Sequence, residues 1–260
     1  MDALLDIRDL RIGLGGRALV DGVDITVGPG EVVGLAGESG SGKTLTALTA
    51  LGFVPDNATV SGKVVFDGAD VLSLSTKELR ALRGDRVAMV FQDPMTSLHP
   101  MLTIERQLTE HQRVHREMNR RQARERAIEL LDRVRIPDPQ VAIRSYPHRF
   151  SGGMRQRIAI ASALACEPEL LVADEVTTAL DVTVQAGILN LLQSLRVELG
   201  MAMLFITHDL AVMNVVSDRL YVMRSGKVVE SGRSRDVLAD PQHEYTRALV
   251  DALPDTEVTR

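Results

Sequence analysis

The chain has 260 residues, 45% of them hydrophobic and 25% charged, with a formal net charge of −5. That is enough apolar material for a large core in one domain or two intimate lobes, and the mildly acidic balance gives no broad basic field, so binding of nucleic acid is not expected. No apolar run approaches the roughly 18 residues of a membrane-spanning helix. The opening residues carry Asp2, Asp6 and Asp9 in place of a basic signal-peptide head, which predicts a chain that stays in the cytosol and reaches any membrane through a partner.

From the start, Leu4 to Leu10 and Val23 to Val27 alternate apolar and polar residues and are punctuated by Gly15-Gly16 and Gly28-Pro29-Gly30, which predicts antiparallel strands. Glu31 to Ala36 is an apolar stretch that runs into a glycine-rich loop, and Thr44 to Leu51 suits a helix, giving strand, loop, helix. Val64 to Gly68 reads as a further hairpin strand. From Thr103 to Arg135 the pattern becomes a charged helix with Ile128, Leu130, Leu131 and Val134 as its buried stripe. Its arginines are interspersed with Glu117, Glu125 and Glu129, the mark of a solvated face and not of a basic binding surface. The lone cysteine, Cys166, follows Ala163-Leu164-Ala165 and excludes an internal disulfide or a multi-cysteine metal site; a small core residue is expected. Leu170 to Ala173, Met203 to Thr207 and Leu220 to Met223 are short apolar strands, with helix expected between the first two, so the chain as a whole reads as α/β.

Gly37, Glu38, Ser39, Gly40, Ser41, Gly42, Lys43 and Thr44 fit the pattern G-x-x-x-x-G-K-[ST] between a strand and a helix. The glycines let backbone N–H groups converge on phosphate oxygens at the positive end of the following helix. Lys43 would contact the β- and γ-phosphates, and the Thr44 hydroxyl would ligate Mg²⁺. A coincidental glycine-rich turn would match this pattern in roughly one such chain in several hundred.

Leu170-Leu171-Val172-Ala173-Asp174-Glu175 puts two carboxylates at the end of a buried strand. By itself such a pair is an ordinary solvated strand terminus; with the phosphate loop upstream it is the expected second half of a nucleotide site. Asp174 would hold Mg²⁺, and Glu175 would orient and polarise the attacking water, because phosphoryl transfer depends on positioning and charge neutralisation more than on covalent chemistry.

Phe150-Ser151-Gly152-Gly153-Met154-Arg155-Gln156-Arg157 resembles the signature of the ATP-binding cassette (ABC) family, and further strings stand in the family's order: Phe91-Gln92-Asp93-Pro94, Ala179-Leu180-Asp181 and Ile206-Thr207-His208-Asp209. Ser151 and Gly153 open a helix whose N–H groups can receive a γ-phosphate, which in the family belongs to the opposite subunit. The resemblance implies that Gln92 binds Mg²⁺ and senses a membrane partner, that His208 contacts the γ-phosphate, and that Ser151, Gly152, Gly153 and Asp181 contribute to the nucleotide site. It covers the chain from about Leu4 to Leu253. Gln92 to Leu98, Tyr146-Pro147-His148 and His243 to Leu249 are similar to the oligopeptide, dipeptide and nickel importer ATPases.

The implied fold is a P-loop NTPase, RecA-like α/β core with an antiparallel β-subdomain, formed by residues 1–93 and 166–260, into which a helical subdomain, residues 94–165, is inserted. The implied activity is hydrolysis of ATP with Mg²⁺. The implied assembly is a head-to-tail dimer with a second identical or homologous ATPase, beneath two membrane permeases at the cytoplasmic face of the cell membrane, with a substrate-binding protein on the far side. Three positions depart from the family. Leu14 stands where an aromatic residue usually stacks on adenine. Val176 replaces the proline that usually follows the catalytic glutamate, removing a rigid turn. A cysteine-bearing C-terminal extension is not found by Arg260, so no iron–sulfur cluster is expected. Leu14 and Val176 keep open a subunit that binds ATP structurally, although Lys43, Glu175 and His208 argue against it. A soluble ABC-type ATPase acting on DNA or ribosomes would bring long coiled coils or a second cassette, which the sequence lacks.

Overall fold

A computed structural model describes residues 3–178 and 180–253. Ala179, the first residue of the Ala179-Leu180-Asp181 string, lies outside the described residues. The chain forms two compact units, Met1–Leu79 together with Ala202–Arg260, and Arg80–Met201. In chain order the described strands are β1 (Leu5–Leu14), β2 (Arg17–Val27), β3 (Val32–Ala36), β4 (Thr59–Phe66), β5 (Ala69–Asp70), β6 (Val87–Val90), β7 (Leu170–Asp174), β8 (Ala202–Ile206), β9 (Arg219–Arg224) and β10 (Lys227–Arg233).

In the first unit the expected antiparallel strands form a sheet of order β2-β1-β4-β5. β1 buries Leu5, Ile7, Leu10 and Ile12, a series that changes parity between Ile7 and Leu10. A strict two-residue alternation would turn Leu10 to solvent. The register with both neighbours shifts at this point, where Asp9 takes the left-handed conformation at φ 44°. This bulge inserts the residue that returns Leu10 and Ile12 to the core face. The partner strand makes room with Gly62, where a Cβ would stand 2.4 Å from the Asp9 carbonyl oxygen.

A second sheet of the same unit runs β10-β9-β3-β8, with β3 parallel to both β8 and β9, and β9 antiparallel to β10. All five residues of β3 and all five of β8 are buried, the continuous apolar composition expected of parallel strands covered on both faces.

The second unit pairs β6 and β7 in parallel and is otherwise helical. The single charged helix expected over Thr103 to Arg135 is instead two, Ile104–His115 and Arg120–Arg133. Glu117, at φ 51°, ends the first. Asn119 begins the second by a capping box, accepting from the Gln122 N–H at 3.0 Å while the Gln122 side chain accepts from the Asn119 N–H at 3.1 Å. The break also re-phases the stripe. Ala123, Ala127, Leu130, Leu131 and Val134 are buried, whereas Ile128, expected among them, is only half-buried. Cys166 is buried as expected, and burial pushes its thiol above the usual range, the condition of an inert core thiol.

Candidate functional site

The fully buried β3 delivers the chain into the glycine-rich loop at Gly37. Gly37, Gly40 and Gly42 have φ of 142°, 80° and 100°. At Gly37 the requirement is absolute, since a Cβ would stand 2.1 Å from the Met223 carbonyl oxygen. Lys43 is 4% exposed, and its ammonium donates to the carbonyls of Gly37 and Glu38, both at 2.8 Å. A buried cation needs such oxygens around it. Glu38, Ser39, Gly40 and Thr44 are exposed and Ser41 is buried. In the parallel register Leu35 faces Ile206, so the loop after β3 and Thr207-His208 after β8 leave the same end of adjacent strands. His208 is exposed there, ahead of Asp209, which caps the helix Leu210–Val216 by accepting from the Ala211 N–H at 2.9 Å.

The second unit repeats this logic. Val90 faces Ala173 in the β6–β7 register, so Gln92 and the pair Asp174-Glu175 emerge from one end of two adjacent strands. Asp174 is 6% exposed. Glu175 sits at φ 47°, and its Oε2 accepts from Gln92 Nε2 at 3.0 Å and from Thr178 Oγ1 at 3.1 Å. The turn that the family usually stiffens with proline closes here through the Thr178 N–H, which donates to the Glu175 carbonyl at 3.0 Å, and Val176 packs into the core at 1% exposure.

Ser151 begins the helix Gly152–Ala163, its Oγ accepting from the Met154 N–H at 3.4 Å, and Asp181 begins Val182–Leu199, its Oδ1 accepting from the Val184 N–H at 2.9 Å. The two helix starts meet at Gly153, where a Cβ would lie 2.6 Å from Val184 Cγ1. Ser151 is exposed and Gly152 has open space where a side chain would stand.

Phosphate-loop lysine, strand-end carboxylates and a glycine-opened helix thus all stand where the sequence strings place them, and the match extends beyond them: the ABC transporter family profile covers residues 20–178. The chain belongs to the ABC transporter family. It is an ATP-binding subunit that couples ATP hydrolysis to transport. The chain is 49% identical to the probable peptide ABC transporter ATP-binding protein y4tR of Sinorhizobium fredii, over 98% of its own length and 78% of the relative's. It is 51% identical to the peptidoglycan transport ATP-binding protein YejF of Agrobacterium fabrum, again over 98% of its length but 48% of that protein's. Among solved structures, a dimeric post-hydrolysis state of the ATP-binding cassette MJ0796 bound to ADP and phosphate superposes with a TM-score of 0.78 at 28% identity, covering 89% of this chain and 99% of that one.

Two residues that touch the site carry no role in the sequence reading. Thr178 holds Glu175 from three residues downstream. Tyr245, within the His243 to Leu249 string, accepts a hydrogen bond from the Glu38 N–H at 2.9 Å. Thr178 is one of several unremarkable hydroxyls in the sequence, and Tyr245 is separated from the loop by more than two hundred residues of chain, so periodicity gave no signal for either.

Proposed function

We propose that the ABC transporter subunit is the ATPase of a peptide importer, and that Glu175 is the residue that activates the attacking water. The observation that carries the catalytic assignment is the double hold on Glu175 Oε2 by Gln92 and Thr178. A carboxylate oxygen fixed by two donors is held in one orientation, which favours a group that aims and polarises a water over a mobile one. Lys43, now against the Gly37 and Glu38 carbonyls, exchanges them for the β- and γ-phosphate oxygens, and His208 contacts the γ-phosphate. Backbone N–H groups of Gly37 to Thr44 cradle the phosphates, and Leu14, 39% exposed, offers the base an aliphatic contact.

Each expected ligand suits Mg²⁺ in kind: in the first unit the Thr44 hydroxyl, and in the second the Asp174 carboxylate and the side-chain oxygen of Gln92, whose nitrogen donates to Glu175, offer hard oxygen atoms that would hold Mg²⁺ alongside phosphates. When bound, the ion neutralises phosphate charge.

Residues 1–93 and 166–260 act as the nucleotide-binding core, and residues 94–165 as the helical subdomain that carries the signature. ATP is held between Gly37 to Thr44 of one chain and Ser151 to Gly153 of a second cassette in a head-to-tail dimer; the dimeric cassette bound to ADP and phosphate supports this arrangement. No helix among the described residues is long and apolar enough to cross a membrane, and the subunit works peripherally at the cytoplasmic face, beneath two permeases, with a substrate-binding protein beyond them. Transport names of the relatives, peptide for y4tR and peptidoglycan for YejF, support a peptide or peptide-bearing solute over nickel.

The test is reconstitution with the permeases and any paired ATPase. Peptides presented by the binding protein should stimulate ATP hydrolysis. In the presence of Mg-ATP, Glu175→Gln protein carrying Ser41→Cys and Ser151→Cys should crosslink between chains. Stimulation by nickel and not by peptides would overturn the substrate reading, and crosslinks confined to single chains would overturn the sandwich.

A further inference from the structure

We propose that Tyr245 is a positioning residue for ATP binding, holding one of the two peptide planes of the phosphate loop against which the Lys43 ammonium rests. The Gly37 carbonyl and the Glu38 N–H belong to the same planar peptide unit. The carbonyl accepts from Lys43 Nζ at 2.8 Å, and from the opposite edge of the plane the N–H donates to the Tyr245 hydroxyl at 2.9 Å. A rotation of this plane would move the carbonyl away from Lys43, so the hydroxyl that fixes the N–H also fixes where the ammonium waits. Glycine at position 37 makes such a hold necessary. At φ 142° its backbone has the conformational freedom that a side chain would have removed.

Tyr245 is itself anchored. It lies 9% exposed in the first turn of the helix Glu244–Asp251, with the Arg224 guanidinium 4.8 Å from its ring centroid, a stacking distance for a cation on an aromatic face. The start of that helix is fixed from β10, where the Glu230 carboxylate accepts from the N–H groups of Gln242 at 2.8 Å and His243 at 3.0 Å. The His243 ring nitrogen then accepts from the Tyr245 N–H at 3.1 Å. Loop, ring and anchors all belong to the first compact unit. A segment more than two hundred residues from the loop in sequence therefore sets the resting geometry of its lysine, and with it the affinity for the phosphates that displace the carbonyls.

This inference rests on the nucleotide reading of Gly37 to Thr44, and the experiment separates the two. Tyr245→Phe keeps the ring, its packing and the Arg224 stack, and removes only the hydroxyl. Calorimetry with ATP, together with ATPase kinetics of the assembled transporter, should show Kd and KM raised about three- to tenfold, the range of one neutral hydrogen bond, with kcat reduced less than about twofold and the unfolding midpoint held. Arg224→Gln should shift Kd in the same direction by less, because the hydroxyl remains. Amide hydrogen exchange at Glu38 should accelerate in Tyr245→Phe. If Lys43→Ala, measured in parallel, leaves ATP affinity intact, the nucleotide reading itself fails. If Lys43→Ala abolishes binding while Tyr245→Phe leaves Kd and KM at the parent values, or lowers kcat and the unfolding midpoint together without moving KM, Tyr245 is a packing residue only and the proposal is overturned.

Discussion

Gln92 Nε2 lies 3.0 Å from Glu175 Oε2, although 83 residues separate the two in the chain. The parallel pairing of β6 with β7 brings them together, because both follow the same end of adjacent strands. The carboxylate oxygen that receives this bond also receives Thr178 Oγ1, so the proposed catalytic group is held from its own turn and from the neighbouring strand.

Replacement of that carboxylate by an amide of the same shape should separate binding from turnover. Glu175→Gln should bind Mg-ATP with near-parent affinity and lose about 10²- to 10⁴-fold in kcat, the usual contribution of a positioned general base. Single-turnover hydrolysis and calorimetry check the two halves. Near-parent turnover would place the water-activating group elsewhere.

Removing the hold while keeping the carboxylate should have a smaller effect of the same kind. Thr178→Val deletes one donor to a charged acceptor without changing side-chain volume, and kcat should fall about tenfold with KM for ATP little moved. A rise in KM alone would show that the Thr178 hydroxyl serves binding and not the aim of Glu175.

Lys43→Ala removes the cation that offsets the terminal phosphates, and useful ATP binding should be lost, by about a hundredfold or more in Kd. Calorimetry with Mg-ATP is the measurement, and parent affinity would exclude the phosphate-loop assignment.

Gly153 has a packing role distinct from any role toward phosphate. A methyl group there meets the Val184 side chain at 2.6 Å, and a β-branched residue in a helix has little rotamer freedom with which to yield. Gly153→Ala should destabilise by about 1–3 kcal/mol, the ordinary cost of overpacking. Adding Val184→Ala should restore the unfolding midpoint in urea. If the double variant regains stability but not ATPase activity, the glycine also serves the ligand.

Acid should loosen the helix Glu244–Asp251. Burial works to raise the Glu230 pKa, but the neighbouring Thr246 hydroxyl, then the N–H groups of Gln242 and His243 and the nearby His243 ring, outweigh it and leave the carboxyl below its usual range. Over the interval between the lowered folded value and the ordinary glutamate value the unfolded chain binds more protons, so stability rises with pH there. The contribution is full above the ordinary value and is lost as pH falls through the folded one. Urea titrations across that acid interval should show a shallower pH dependence for Glu230→Gln; an identical slope would mean that the carboxylate adds nothing to the anchoring.

The sequence alone carried most of what depends on local pattern or on contiguous strings. Alternation places β1 and β2, the continuous apolar runs place β3, β7, β8 and β9, and the strings around Lys43, Ser151 and Glu175 carry the family. These features are legible because periodicity and motif are properties of neighbours in the chain. One local signal works against a broader periodicity: the Asn119 to Gln122 capping box divides the helix expected over Thr103 to Arg135, and the division moves Ile128 off the buried stripe. The tertiary structure decided what depends on register and approach. Leu10 returns to the core only through the bulge at Asp9, which one strand cannot specify without Gly62 opposite it. Gln92 reaches Glu175 only because two parallel strands end together, Gly153 is required by a helix that begins thirty residues later, and the Tyr245 hydroxyl meets the phosphate loop from the far end of the chain. Each is a contact between segments distant in sequence. A hydrogen bond or a van der Waals limit acts over a few ångströms of space and takes no account of chain separation, so its partners become visible only once the fold has brought them together.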